Sequence, residues 1–108
     1  MTTKYICETA PLDLLVLQNV QMLEKLLKDE PEMENIVKKF ILMDLSQNRI
    51  SENILIWQDV LESGKEIEDN VLTEIENKQA VNQACMLIYT SGTTGPPKGM
   101  NAYSLTVQ

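Results

Sequence analysis

The sequence predicts an α/β protein, with mostly parallel strands alternating with helices. Three observations predict it. Apolar runs of strand length recur at residues 12–17, 40–43, 54–57 and 84–89. Between them lie stretches whose apolar residues return at helical steps. The last run opens into a loop rich in glycine and hydroxyl residues, at the carboxyl end of a strand, where α/β sheets place their ligands.

Taken in order, Pro11 breaks the chain and Leu12-Asp13-Leu14-Leu15-Val16-Leu17 follows. Its nearly continuous apolar character predicts a strand covered on both faces. The few residues before Pro11 read as the tail of a helix. Over residues 18–32, Val20, Leu23 and Leu27 recur on one side, widened by Met22 and Leu26. This predicts an amphipathic helix with Asn19 as N-cap, ended by Asp29-Glu30-Pro31-Glu32. That acidic run reads as a solvated loop rather than a metal site. Ile36-Val37 and Phe40-Ile41-Leu42-Met43 predict a second strand with its lead-in. Residues 44–53 are polar apart from Leu45 and Ile50 and read as a loop. Arg49, the one arginine, is given no catalytic role.

Ile54-Leu55-Ile56-Trp57 predicts a short edge strand, with Trp57 a packing residue rather than a ligand platform. Asp59-Val60-Leu61-Glu62-Ser63 then reads as one or two helical turns, and Gly64 suits the position just past a helix end. Residues 68–78 carry Val71, Leu72 and Ile75 at helical spacing among acids, predicting a second amphipathic helix with a solvated acidic face. Ala84-Cys85-Met86-Leu87-Ile88-Tyr89, bounded by Gly and Pro, reads as a buried strand, and Cys85 as a plain buried thiol.

Composition narrows the function. At 108 residues the chain is one domain or part of one. Apolar residues make up 44%, which excludes a disordered composition. A net charge of −7 argues against binding nucleic acid or an anionic membrane. No apolar run approaches the roughly 20 residues that span a bilayer, so no transmembrane segment is expected. Met1-Thr2-Thr3-Lys4 leads into no long apolar stretch, so no signal peptide is expected. Cys7 and Cys85 make neither a disulfide framework nor a metal site, and metal ligands are expected to be absent. A reducing, cytoplasmic location follows as the default, with the periphery of the endoplasmic reticulum membrane as the alternative. There is no histidine, so the commonest general base is missing.

The segment after Tyr89 has a specific chemical use. Glycines let backbone N–H groups approach an anion, and successive N–H groups in turns form an anion-binding concavity. The hydroxyls of Thr90, Ser91, Thr93 and Thr94 can donate to phosphate oxygens, and Lys98 adds a mobile cation. All 16 acidic residues lie between Glu8 and Glu76, and beyond Gln79 Lys98 is the only charged side chain. A loop meant for polyphosphate needs such freedom from carboxylates. The Walker order, with Gly-Lys-Ser/Thr, is not present: Gly95 is followed by Pro96-Pro97, and Lys98 precedes Gly99.

The order Tyr89-Thr90-Ser91-Gly92-Thr93-Thr94-Gly95-Pro96-Pro97-Lys98-Gly99 resembles the AMP-binding signature of the adenylate-forming enzymes. Every fixed position is met, and Pro96 fills the variable one. Residues 12–27, 56–65 and 82–89 are similar to long-chain acyl-CoA synthetases, closest to their bubblegum-type branch. The resemblance covers residues 5–100, read as part of an AMP-binding domain that ends in the loop at 84–99. Residues 101–108 read as a divergent tail.

The resemblance implies a long-chain fatty acid–CoA ligase of the AMP-forming kind. ATP and a fatty acid give acyl-adenylate and pyrophosphate, and coenzyme A then displaces AMP. By position, Thr90, Ser91, Gly92, Thr93, Thr94, Gly95 and Lys98 would contact or shape the site for the ATP phosphates and Mg²⁺. The family follows the signature with a Ser/Thr-His pair; here Met100 is followed by Asn101-Ala102. The family's adenine pocket, acyl tunnel and hinged second domain have no counterpart in these residues. The expectation is therefore a partial ligase, inactive by itself. The alternative is a non-catalytic phosphate-binding or interaction (decoy) module, whose strand edges pair with a full-length synthetase.

Overall fold

Asn19 does open the first amphipathic helix. Its side-chain oxygen accepts from the Met22 N–H at 3.0 Å, and its backbone is extended, as an N-cap requires. The computed structural model of the chain describes residues 3–46, 48–90 and 98–103. These fall into two units that divide between Glu66 and Ile67.

In the first unit the order is α1 (Thr3–Thr9), β1 (Leu14–Leu17), α2 (Val20–Asp29), α3 (Met33–Ile36), β2 (Lys39–Leu42), β3 (Ile54–Ile56) and α4 (Trp57–Gly64). The strands form a parallel sheet in the order β1-β2-β3. Leu15 lies opposite Phe40 and Phe40 opposite Ile54, while Leu17 pairs with Leu42. These five share one sheet face, because facing residues of paired strands project the same way. Helical residues Cys7, Leu23 and Met33, with Val37 just past α3, complete the core against that face. Met33 and Leu42 are fully buried. Each such side chain stabilises the unit by about 1.5–3 kcal/mol relative to exposure.

The α/β class with parallel strands stands, and several local expectations need correction. β1 is not covered on both faces. It is an edge strand, and Leu14 and Val16, on the face away from the core, are about half exposed. Leu26 joins the stripe of α2, but Met22 is exposed. Residues 33–36 form a single helical turn rather than a strand lead-in, closed by the Val37 N–H on the Met33 carbonyl at 3.0 Å. Met33, Ile36 and Val37 stand at steps of three and four, so one turn sends all of them to the core. Trp57 starts α4 instead of ending β3. The Asp59 carboxylate accepts from the Ile56 N–H at 3.2 Å and fixes the helix start there. Gly64 is the last residue of α4; Lys65, in right-handed conformation, caps it through its N–H on the Glu62 carbonyl.

In the second unit, α5 (Asp69–Asn77) leads to β4 (Ala84–Thr90) and β5 (Lys98–Tyr103). β4 does not extend the parallel sheet; it pairs antiparallel with β5 as a two-stranded ribbon. The spacing explains this. Strands joined only by residues 91–97 can return antiparallel, whereas a parallel return takes a dozen or more residues. None of residues 67–90 is buried, and Gly99 is exposed. β4 is therefore not the buried strand its apolar run predicts. A two-stranded ribbon leaves both faces open unless another layer covers them. Cys85 is exposed, not buried. Ala84 faces Tyr103 and Met86 faces Ala102, which makes Cys85 the extra residue of a β-bulge.

Candidate functional site

The candidate site is built on the β4–β5 ladder. A reciprocal turn leads into it: the Gln83 N–H donates to the Ala80 carbonyl at 2.9 Å, and the Ala80 N–H donates to the Gln83 Oε1 at 3.0 Å. The ladder then runs Leu87 opposite Asn101, Ile88 opposite Met100, Tyr89 opposite Gly99 and Thr90 opposite Lys98. Thr90 is exposed at the end of β4, and Lys98 begins β5. Thus the first and last residues of the expected site face each other across the ribbon. Ser91, Gly92, Thr93, Thr94 and Gly95 lie outside the described residues, as do Pro96 and Pro97.

Sequence reading missed β5. The apolar Met100 and Ala102 alternate with Asn101 and Tyr103 behind a hairpin-length connection, a pattern that signals a strand. β5 also carries three residues beyond Met100, where the tail was expected to begin.

Other polar and reactive groups do different work. In the first unit, the Lys4 N–H donates to Glu30 Oε2 at 2.9 Å, and Lys4 Nζ donates to Glu32 Oε1 at 3.3 Å. These contacts fasten the start of α1 to the segment after α2. A backbone hydrogen bond, and then Lys4, hold the Glu32 carboxyl below the usual carboxylate range. Burial, and then the charge of Glu30, push the Cys7 thiol up. A buried neutral thiol is a poor nucleophile, so Cys7 serves packing. Among the described residues, no group of three His, Cys, Asp or Glu side chains could hold a metal ion.

A depression of about 490 Å³ is lined by Glu76, Val81 and Cys85 among others. It opens at the start of β4, roughly 20 Å along the strand from Thr90. Glu76 in its wall makes it a poor receptor for polyphosphate.

These features define an α/β chain in which two adjacent strands present a glycine-, serine- and threonine-rich segment at their open end. The family model described as AMP-binding enzyme matches residues 2–102, and the chain belongs to that family. It is 36% identical over 97 residues to Long-chain-fatty-acid--CoA ligase ACSBG2 of Rattus norvegicus, which covers 90% of this chain and 14% of the relative. It is 35% identical over 97 residues to the ACSBG2 ligase of Homo sapiens, with the same coverage. With Long-chain-fatty-acid--CoA ligase ACSBG1 of Rattus norvegicus the identity is 31% over 97 residues, covering 90% of this chain and 13% of the relative. These relatives are of the bubblegum type that the resemblance indicated. The chain spans about 14% of their length. No solved structure matches it.

Proposed function

We propose that the segment between β4 and β5 holds the triphosphate of ATP. The observation that supports this is the pairing of Thr90 with Lys98, which brings together the two ends of a hydroxyl-rich segment. Gly92 and Gly95 leave room for backbone N–H groups to meet an anion. Thr90, Ser91, Thr93 and Thr94 donate from their hydroxyls, and Lys98 contributes positive charge. No carboxylate follows Glu76 in the sequence to oppose them. The donor set offers hydroxyls without carboxylates, which does not fit a resident Mg²⁺.

The protein to which this stretch corresponds is read as a long-chain fatty acid–CoA ligase. The fatty-acid carboxylate attacks the α-phosphorus of ATP and pyrophosphate leaves; the thiol of coenzyme A then attacks the acyl carbon and AMP leaves. In the first step the cradle's part is to position the β- and γ-phosphates and offset the charge on the departing pyrophosphate. It supplies no nucleophile. The 108 residues by themselves are read as inactive, because they span about 14% of the relatives that carry the ligase name.

Titrating the ¹⁵N-labelled chain with ATP tests the site. The amide signals of residues 90–98 are expected to move, and to move less in Lys98→Ala. No movement there, or an unchanged response in Lys98→Ala, overturns the reading. With ATP, palmitate and coenzyme A, the chain alone is expected to give no thioester above blank; turnover would overturn the inactive reading.

A further inference from the structure

Gly99 lies opposite Tyr89, one step before the Thr90–Lys98 pair that closes the ribbon. A Cβ placed on Gly99 would come within 3.1 Å of Leu87 Cδ1, 3.4 Å of Leu87 Cγ and 3.4 Å of Tyr89 Cζ. The Tyr89 ring and the Leu87 side chain therefore lie across the bare Cα of Gly99. The backbone of Gly99 is not left-handed, so conformational freedom is not what calls for glycine here. A Cβ there would press on the Leu87 side chain and touch the Tyr89 ring. Tyr89 is also the one residue of β4 that is half-buried; its six companions are exposed.

We propose that Tyr89 is a positioning residue of the phosphate segment, acting through Gly99 to fix the hairpin register. In an antiparallel pair, a slip of one residue turns every side chain to the other face. Such a slip would put Tyr89 opposite Lys98 or Met100, each of which carries a side chain that Gly99 lacks. Only at Gly99 does the ring find a residue with no side chain. An aromatic side chain laid over a cross-strand glycine is a known way to pin a register. With this register Thr90 faces Lys98, and the ends of the segment are set at a fixed separation. Leu87, two residues before Tyr89, shares its face of the ribbon.

The inference rests on reading the segment as the nucleotide site, and two readouts keep the two ideas apart. The first is register, measured without nucleotide in the 108-residue chain by cross-strand contacts between the backbones of residues 90 and 98. Tyr89→Phe is expected to keep those contacts, and Tyr89→Ala and Gly99→Ala to lose them. The methyl signals of Leu42 are expected to stay unchanged in all three, showing that the first unit is intact. The second readout is the Kd for ATP. It is expected to rise about two- to fivefold in Tyr89→Ala and Gly99→Ala, the range that one cross-strand pair contributes, and to hold in Tyr89→Phe. Retained register in Tyr89→Ala or Gly99→Ala overturns the positioning role, as does loss of register in Tyr89→Phe. If the unaltered chain binds no ATP, the nucleotide reading fails, and the register measurement still decides the role of Tyr89.

Discussion

Helix α2 and helix α5 carry the same kind of apolar stripe, yet they meet different fates. In α2, Leu23 is buried and Leu26 and Leu27 pack against the core. In α5, Val71, Leu72 and Ile75 are all about half exposed. The same contrast separates strand β2, with Phe40, Ile41 and Leu42 buried, from β4, where Met86, Leu87 and Ile88 are exposed. Periodicity states which face a segment would bury. It does not state whether a partner is at hand. The first unit supplies its own partner, since a parallel sheet and its crossover helices form together. The second unit is a helix and a ribbon, which bury little without a further layer.

Paired truncation separates the two units most clearly. Leu42→Ala is expected to destabilise the first unit by about 2–5 kcal/mol, whereas Leu72→Ala should change stability by no more than about 0.5 kcal/mol. Urea unfolding followed by circular dichroism checks both, and equal losses would show that α5 is buried after all. Thiol labelling comes next. Iodoacetamide is expected to modify Cys85 on the order of tenfold faster than Cys7, whose thiol must first be uncovered and is held protonated. Peptide mass spectrometry over time reads this directly.

A smaller effect is expected at the cap of α2. Asn19→Ala should cost about 1 kcal/mol, and Asn19→Asp should restore most of it. The smallest is a pH effect at Glu32. Its carboxyl is lowered in the folded unit, so its contribution is complete above the ordinary glutamate range and is lost as pH falls through the lowered value. The stability gap between the unaltered chain and Glu32→Gln should therefore close below about pH 4.3. Being solvent-exposed, the group is expected to shift the melting midpoint only slightly.

The legible parts of the fold were those decided locally. Asn19 and the α2 stripe act through neighbours a few residues away, and β1, β2 and β3 each overlap the apolar run that predicts them. The α3 turn was written in the spacing of Met33, Ile36 and Val37 but is only one turn long, and a single turn is hard to tell from a strand lead-in. Burial of β4 and Cys85 was not legible, because an apolar run looks alike whether or not a second layer lies over it. For the candidate site, glycines, hydroxyls and the acid-free flank pointed to phosphate chemistry, and Thr90 and Lys98 turned out to face each other. The Tyr89–Gly99 contact could not be read in advance, because it depends on a strand, β5, that was taken for loop and tail.

The antiparallel closure of β4 on β5 also bears on how the chain acquires its shape in time. A hairpin needs only its own short connection to close, on a scale of about 1–10 μs. The β1–β2–β3 layer must first wait for intervening helices and long loops to fall into place, which slows folding. The β4–β5 ribbon is thus expected to form among the earliest events along the polypeptide, before the slower half sets around Leu42.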